Sequence, residues 1–204
     1  MLDRAAAALI RPAIDALARA LACAGISADA ITLAGFGIGL GAAALIASGQ
    51  YGWGTAVLLL SRLCDGLDGA VARLRLPSDR GAFLDIALDF VFYASIPLAY
   101  ALADPARNAL AGAVLLAAFV GTGTSFLAFA VLAAKRGLTS SAYPNKSFYF
   151  LGGLTEATET LAFFVACGLW PGQFALLAYG FAALCAITLL ARLWWGWQAF
   201  GPGQ

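Results

Sequence analysis

Between residues 30 and 195 the chain runs through six apolar stretches. Each is close to the ~20 residues that a helix needs to cross a bilayer. They cover residues 30–49, 52–73, 81–103, 109–134, 148–169 and 173–195. The breaks between them carry turn chemistry: Ser48-Gly49-Gln50, Pro77-Ser78, Asp104-Pro105, Gly137 with Tyr143-Pro144-Asn145, and Pro171-Gly172. Composition agrees, with 62% hydrophobic and 11% charged residues, against about 45–50% and about 25% in soluble domains. Too little polar surface exists to wrap one soluble core. The expected fold is an all-α integral membrane protein, a single domain over residues 1–204 with its spanning bundle at 30–195.

Residues 2–22 read differently. Arg4, Arg11, Asp15 and Arg19 share one face at helical spacing, and Ile10, Ile14, Leu17 and Leu21 share the other. A basic face backed by an apolar one suits an amphipathic helix lying in the membrane interface. Its spread charge is unlike the bunched charge and clean apolar run of a signal peptide. Pro12 is an expected kink or restart.

Lysine and arginine orient the bundle. With the amino terminus in the cytoplasm, the inner side receives Arg4, Arg11, Arg19, Arg73, Arg75, Arg80, Lys135, Arg136, Lys146 and Arg192, and the outer side only Arg107. Arg62 lies two to three turns inside the second span. Trp53 and Trp170 then mark the outer interface, and Trp194, Trp195 and Trp197 the inner one. A cytoplasmic membrane is the expected location, with any site at the inner ends facing the cytoplasm. The net charge of +1 gives no global field for nucleic acid. The absence of histidine removes Ser-His-Asp and Cys-His catalysis. Cys23, Cys64, Cys167 and Cys185 lack metal-ligand spacing and read as buried thiols.

Against this background, four aspartates stand out. Asp65 and Asp68 are three apart on the second span, and Asp85 and Asp89 are four apart on the third. Each pair stacks on one helix face. The short 74–80 connection makes the two helices antiparallel neighbours, so the carboxylate stripes meet at one depth near the inner surface. A charge inside a span costs about 2.5–3.5 kcal/mol on insertion scales, so such groups are functional by default. Four carboxylates together repel unless cations neutralise them. Oxygen ligands without His or Cys select hard ions such as Mg²⁺ or Mn²⁺. Two divalent ions balance four aspartates and suit phosphoryl displacement. The competing structural reading pairs Asp65 and Asp68 with Arg62 and Arg73. A cation transporter is a further reading, opposed by the uncharged outer halves of both spans.

The residues Asp65-x2-Asp68-Gly69-x2-Ala72-Arg73-x7-Gly81-x3-Asp85-x3-Asp89 resemble the signature of the CDP-alcohol phosphatidyltransferase family at every fixed position. The resemblance extends to an interfacial helix followed by six spans. It departs at Ala28-Asp29, where the family commonly has Pro-Asn, a change expected to affect only a turn. The resemblance implies a CDP-alcohol donor, most simply CDP-diacylglycerol, an alcohol acceptor, release of CMP, and a role in phospholipid synthesis. It implies that Asp65, Asp68 and Asp85 ligate two divalent cations, Mg²⁺ or Mn²⁺, with Asp89 beside them as general base. Asp68, Gly69, Ala72, Arg73 and Gly81 would bind the donor. Homodimers are the family's expected assembly.

The acceptor follows from the remaining cations. Lys135, Arg136, Lys146 and Arg192 suit an anionic acceptor such as glycerol 3-phosphate, which favours a phosphatidylglycerophosphate synthase-like member. Positive-inside anchoring is the bland alternative for each. A CDP-choline-type enzyme using a lipid acceptor is the competitor within the class. Glu156 and Glu159 read as structural partners inside the fifth span in preference to contacts for an aminated acceptor.

Overall fold

A computed structural model describes residues 2–75, 78–137 and 154–201, with residues 2–11 described as backbone only. The described residues form seven α-helices and no strand. They are α1 (Leu2–Cys23), α2 (Ala28–Ala47), α3 (Tyr51–Leu74), α4 (Asp79–Ala103), α5 (Pro105–Lys135), α6 (Ala157–Leu169) and α7 (Phe174–Ala199), with a short 3₁₀ turn at Pro171–Gln173 before the last.

The boundaries follow the local chemistry. Ser27, Ser78 and Asp104 accept bonds from the amides of Ala30, Gly81 and Arg107, capping α2, α4 and α5. Helices α1 and α2 end alike. Gly25 and Gly49 take φ of 83° and 81°, and the amides of Ile26 and Gln50 reach back to the carbonyls of Leu21 and Leu45. This is the closure in which a left-handed residue satisfies the last carbonyls, and only glycine adopts it without strain.

Among the described residues, four helical segments are long and apolar enough to cross a membrane: Ala28–Ala47, Asp79–Ala103, Pro105–Lys135 and Pro171–Ala199. Helix α3 has the length, at 24 residues, but carries Arg62, Asp65, Asp68 and Arg73. The sixth expected element is the one that changes. The predicted 148–169 span begins among residues outside the description, and its described helix is only Ala157–Leu169. Residues 154–156 precede that helix as non-helical chain. Helix α1 runs through Pro12 without a break.

Helix α1 docks on the C-terminal half of α3. Ala18 is buried with Ile31, Ala70 and Val71, and Ile14 and Leu21 pack against them. Leu17, expected on the same apolar face, is instead 49% exposed. The side chains of Arg4, Ile10 and Arg11 lie outside the description. Arg75 at the end of α3 donates to the Ala22 carbonyl at 2.7 Å, fixing the end of α1. The main core is farther along the bundle, where Ile46, Leu58, Phe92, Ile96, Tyr100, Phe164 and Phe174 are all fully buried.

Helix α2 organises the centre. It packs closely against both α3 and α4, whereas α3 and α4 are not in close backbone packing with each other. The expected neighbours meet through their side chains, with Arg62 of α3 donating to Asp89 of α4 at 2.7 Å, and α2 braces both. Glycines on α2 permit this. A Cβ on Gly35 would lie 2.8 Å from Cys64 Cβ, and one on Gly39 would lie 2.6 Å from the Phe92 ring. The same approach lets Ser61 of α3 donate to the Gly35 carbonyl at 2.8 Å. Between the C-terminal half of α3 and the N-terminal half of α4, with α2 behind, a cleft remains.

Candidate active site

The cleft is lined from α2 by Thr32, Gly35 and Phe36, from α3 by Ser61, Arg62, Asp65 and Asp68, and from α4 by Asp85, Leu88 and Asp89. All four aspartates expected from the sequence therefore reach one cavity. They are not equivalent. One carboxylate oxygen from each of Asp65, Asp68 and Asp85 lies within 4.8 Å of the others, a group able to hold a metal ion. Asp89 stands outside that group.

Asp68 is the most buried of the set, at 5% exposure. Its Oδ2 accepts a bond from Thr32 Oγ1 at 2.5 Å, which anchors the carboxylate to α2. Thr32 also reaches its own helix carbonyl at Ala28. A hydroxyl oriented on a carboxylate ligand is the kind of outer support that fixes a metal site.

Asp89 has a different partner. Its Oδ1 accepts a bond from Arg62 Nη1 at 2.7 Å, and the same nitrogen lies 3.5 Å from Asp65 Oδ1. The Arg62 guanidinium rests 3.8 Å from the centroid of the Phe92 ring. Sequence reasoning used Arg62 as a marker of orientation and as a possible partner of Asp65 and Asp68. The structure joins it to Asp65 and Asp89 and gives Asp68 to Thr32. The available signal was the i, i+3 spacing of Arg62 and Asp65 on one face.

The expected donor residues fall at the end of α3 and the start of α4. A Cβ built on Gly69 would meet only the flexible tip of Arg73 within 4 Å, at 3.4 Å, so no helix presses on this backbone. Ala72 is half-buried and Arg73 is exposed. Gly81 differs, because its open side is filled by Asp29 and Ser78 atoms, each 3.2 Å from a built Cβ. Asp29 sits in the first turn of α2 and forms an ion pair with Arg80. The Ala28-Asp29 departure therefore does more than alter a turn: it ties α2 to the start of α4.

The cationic residues assigned to the acceptor are dispersed. Arg192 of α7 is 8% exposed. It donates to the Thr122 carbonyl of α5 at 2.9 Å and faces the Phe126 ring. The next residue of α5, Gly123, is where Phe90 of α4, the neighbour of Asp89 in the chain, packs. Lys135 and Arg136 lie 12 and 13 residues beyond Gly123, or about 18–20 Å along the axis. Lys135 is exposed, and Arg136 donates to the Ala199 and Phe200 carbonyls at the end of α7. Lys146 lies outside the described residues. Glu156 and Glu159 form a reciprocal capping box at the start of α6, with the Glu156 amide bonded to Glu159 Oε2 at 3.2 Å. The expectation of two glutamates within a span is thereby corrected.

Residues 26–197 match the CDP-alcohol phosphatidyltransferase family. The chain is 52% identical to "Inner membrane protein YnjF" of Escherichia coli K12 over 197 residues, covering 97% of this chain and 96% of that one. It is 31% identical to the archaetidylinositol phosphate synthase of Methanothermobacter thermautotrophicus over 203 residues, covering 93% and 91%. Among solved structures, Mycobacterium tuberculosis phosphatidylinositol phosphate synthase (PgsA1) with CDP-DAG bound has the same fold. The TM-score is 0.74 at 24% identity, over 93% of this chain and 95% of that one. The same protein with manganese and citrate gives a TM-score of 0.72 at 24% identity, over 93% and 90%.

Proposed function

The chain belongs to the CDP-alcohol phosphatidyltransferase family, and from that premise we propose that it transfers the phosphatidyl group of CDP-diacylglycerol to a hydroxyl of a phosphorylated polyol, releasing CMP. The observation that carries this reading is the Asp65–Asp68–Asp85 group in one cleft, with the uncovered backbone of Gly69 following Asp68 in the chain.

The donor set fits a hard divalent cation, Mg²⁺ or Mn²⁺, held by Asp65, Asp68 and Asp85 with Thr32 behind Asp68. Such an ion supplies charge neutralisation to a diphosphate and polarises the phosphorus under attack. The chain's own groups do the remainder. Gly69 lets the nucleotide lie against backbone, with Ala72 small beside it, and Arg73 meets the diphosphate at the end of α3. Asp89, with one oxygen held by Arg62, turns the other toward the acceptor and takes its hydroxyl proton. The acceptor oxygen attacks the β-phosphorus as its bond to the bridging oxygen breaks, and CMP leaves with that oxygen. Arg192 supplies the charge for an acceptor phosphate. The inositol phosphate named in two relatives supports an acceptor of this chemistry. Positive-inside asymmetry and the inner membrane named for one relative support a cytoplasm-facing site in a bacterial inner membrane. The homodimer remains part of the proposal by family resemblance.

Three results are expected from the purified protein. In a CMP-release assay with CDP-diacylglycerol, phosphorylated polyols such as glycerol 3-phosphate and inositol phosphate act as acceptors, whereas serine, choline and unphosphorylated inositol do not. Arg192→Gln raises the KM for the phosphorylated acceptor by about 10–100-fold, the loss of a charged hydrogen bond of roughly 1.5–3 kcal/mol. Preference for an uncharged acceptor, or an unchanged KM, moves the acceptor pocket elsewhere. Gly69→Leu folds and inserts normally, since its Cβ meets only the Arg73 side chain, but abolishes donor binding. Unchanged affinity for the CDP-alcohol removes Gly69 from the donor site.

A further inference from the structure

The polar run at the start of α6 meets a buried arginine. Thr188 and Arg192 are four apart and share one face of α7. Thr188 Oγ1 accepts bonds from the Leu154 amide at 3.2 Å and from Thr155 Oγ1 at 3.1 Å. The chain leading into α6 is thereby clipped to α7, and Glu156 is the next residue. Among the described carboxylates, Glu156 is the one whose field reaches the Arg192 guanidinium.

The protein leaves donors of Arg192 unused. The residue is 8% exposed. Its Nη1 donates to the Thr122 carbonyl at 2.9 Å, and its Nε is buried with no partner among the described residues. A buried guanidinium with donors to spare suits a phosphate. A carboxylate beside it works against that use, because it repels the same anion. The repulsion is offset where the ligand also brings a hydrogen-bond donor to the carboxylate.

Capping does not account for a glutamate at this position. Ser, Thr, Asp and Asn are the side chains that cap helix starts well, and the usual box begins with Ser or Thr and ends with Glu or Gln. Glu159 supplies the returning half here, its Oε2 accepting from the Glu156 amide at 3.2 Å. A short hydroxyl side chain would serve the other half as well. A carboxylate is longer, and it has about four acceptor positions, more than one capping bond fills.

Resting on the reading that the acceptor is a phosphorylated polyol, we propose that Glu156 determines which acceptors are used: while Arg192 holds the phosphate, Glu156 accepts a hydrogen bond from a non-reacting hydroxyl beside it. The site then selects vicinal hydroxy-phosphates over alcohols that carry a phosphate alone.

The test pairs acceptors with deoxy analogues in the CMP-release assay, on the full chain in nanodiscs with CDP-diacylglycerol and Mn²⁺. Glycerol 3-phosphate is set against 3-hydroxypropyl phosphate, and inositol 1-phosphate against its 2-deoxy analogue. Each analogue keeps the phosphate and a reactive hydroxyl. In the wild type, kcat/KM falls by about 10–100-fold when the hydroxyl is removed from the acceptor in use, as for loss of a hydrogen bond to a charged group. Glu156→Ser keeps a capping side chain but does not reach the acceptor. It lowers kcat/KM for the hydroxylated acceptor to the level of the analogue, and leaves the analogue nearly unchanged. Glu156→Gln, which keeps the shape and loses the charge, gives a ratio between the two. If Glu156→Ser does not insert, Glu156→Gln decides alone: a reduced ratio supports the proposal and an unchanged one overturns it. Equal use of the paired acceptors by the wild type, a preference that survives Glu156→Ser, or an equal loss on both acceptors overturns the proposal and leaves the phosphorylated-polyol reading standing. CMP released with an unphosphorylated alcohol and with none of the phosphorylated ones overturns both.

Discussion

Asp85→Asn eliminates metal-dependent turnover. Asp85 belongs to the group of three carboxylates within 4.8 Å, and the substitution removes a full ligand charge while conserving shape. Loss of an outer partner of a metal ligand costs about 10–100-fold in affinity, and loss of the ligand itself costs more. The expected result is a fall of more than roughly 100-fold in metal affinity and turnover at background for any acceptor. Asp85 is a cleaner choice than Asp65, whose carboxylate also lies 3.5 Å from Arg62, so that Asp65→Asn would disturb two interactions at once. Metal titration followed by the CMP-release assay checks the prediction. Retained activity with normal metal dependence contradicts the assignment.

Asp89→Asn separates binding from chemistry. The carboxylate stands outside the three-aspartate group and is fixed by Arg62 at 2.7 Å. An asparagine keeps a side-chain oxygen that accepts the same bond but cannot take a proton from an acceptor hydroxyl. Turnover therefore falls by roughly 10²–10⁴, the usual contribution of a general base. Affinity for metal and CDP-alcohol changes far less. Parallel measurement of kcat, donor KM and Mn²⁺ affinity distinguishes the outcomes. A loss of metal and donor binding in step with rate makes Asp89 chiefly a ligand and leaves the base to be found elsewhere.

The aspartates were legible because helical spacing is rigid: residues three and four apart share a face whatever the packing around them. The breaks at Pro77-Ser78 and Asp104-Pro105 were legible for the same local reason, and the structure places helix caps there. The distance between α3 and α4 was not, because a short connection fixes direction but not separation. How the pair is braced depends on α2 packing against both at Gly35 and Gly39, and no pattern within α3 or α4 encodes a third helix. Arg62 was legible as a partner of Asp65 but not of Asp89, because its attachment to Asp89 depends on Phe92 filling the space beside Gly39. Thr32 gave no signal, since a threonine in an apolar helix ordinarily bonds its own backbone, and its bond to Asp68 is tertiary. The glutamates of α6 did carry one: Glu156-x2-Glu159 has the spacing of a capping box and marks a helix start, a local sign that the apolar run through 148–169 obscured.

The most direct measurement follows the donor's β-phosphorus. CDP-diacylglycerol labelled there is incubated with the purified protein, Mn²⁺ and a phosphorylated polyol. The label is expected in a new phosphodiester lipid that contains the acceptor, with one unlabelled CMP released per lipid formed and neither product made when metal is withheld. Absence of CMP with every acceptor, or label recovered only in phosphatidate, contradicts the assignment of this chain as a phosphatidyltransferase.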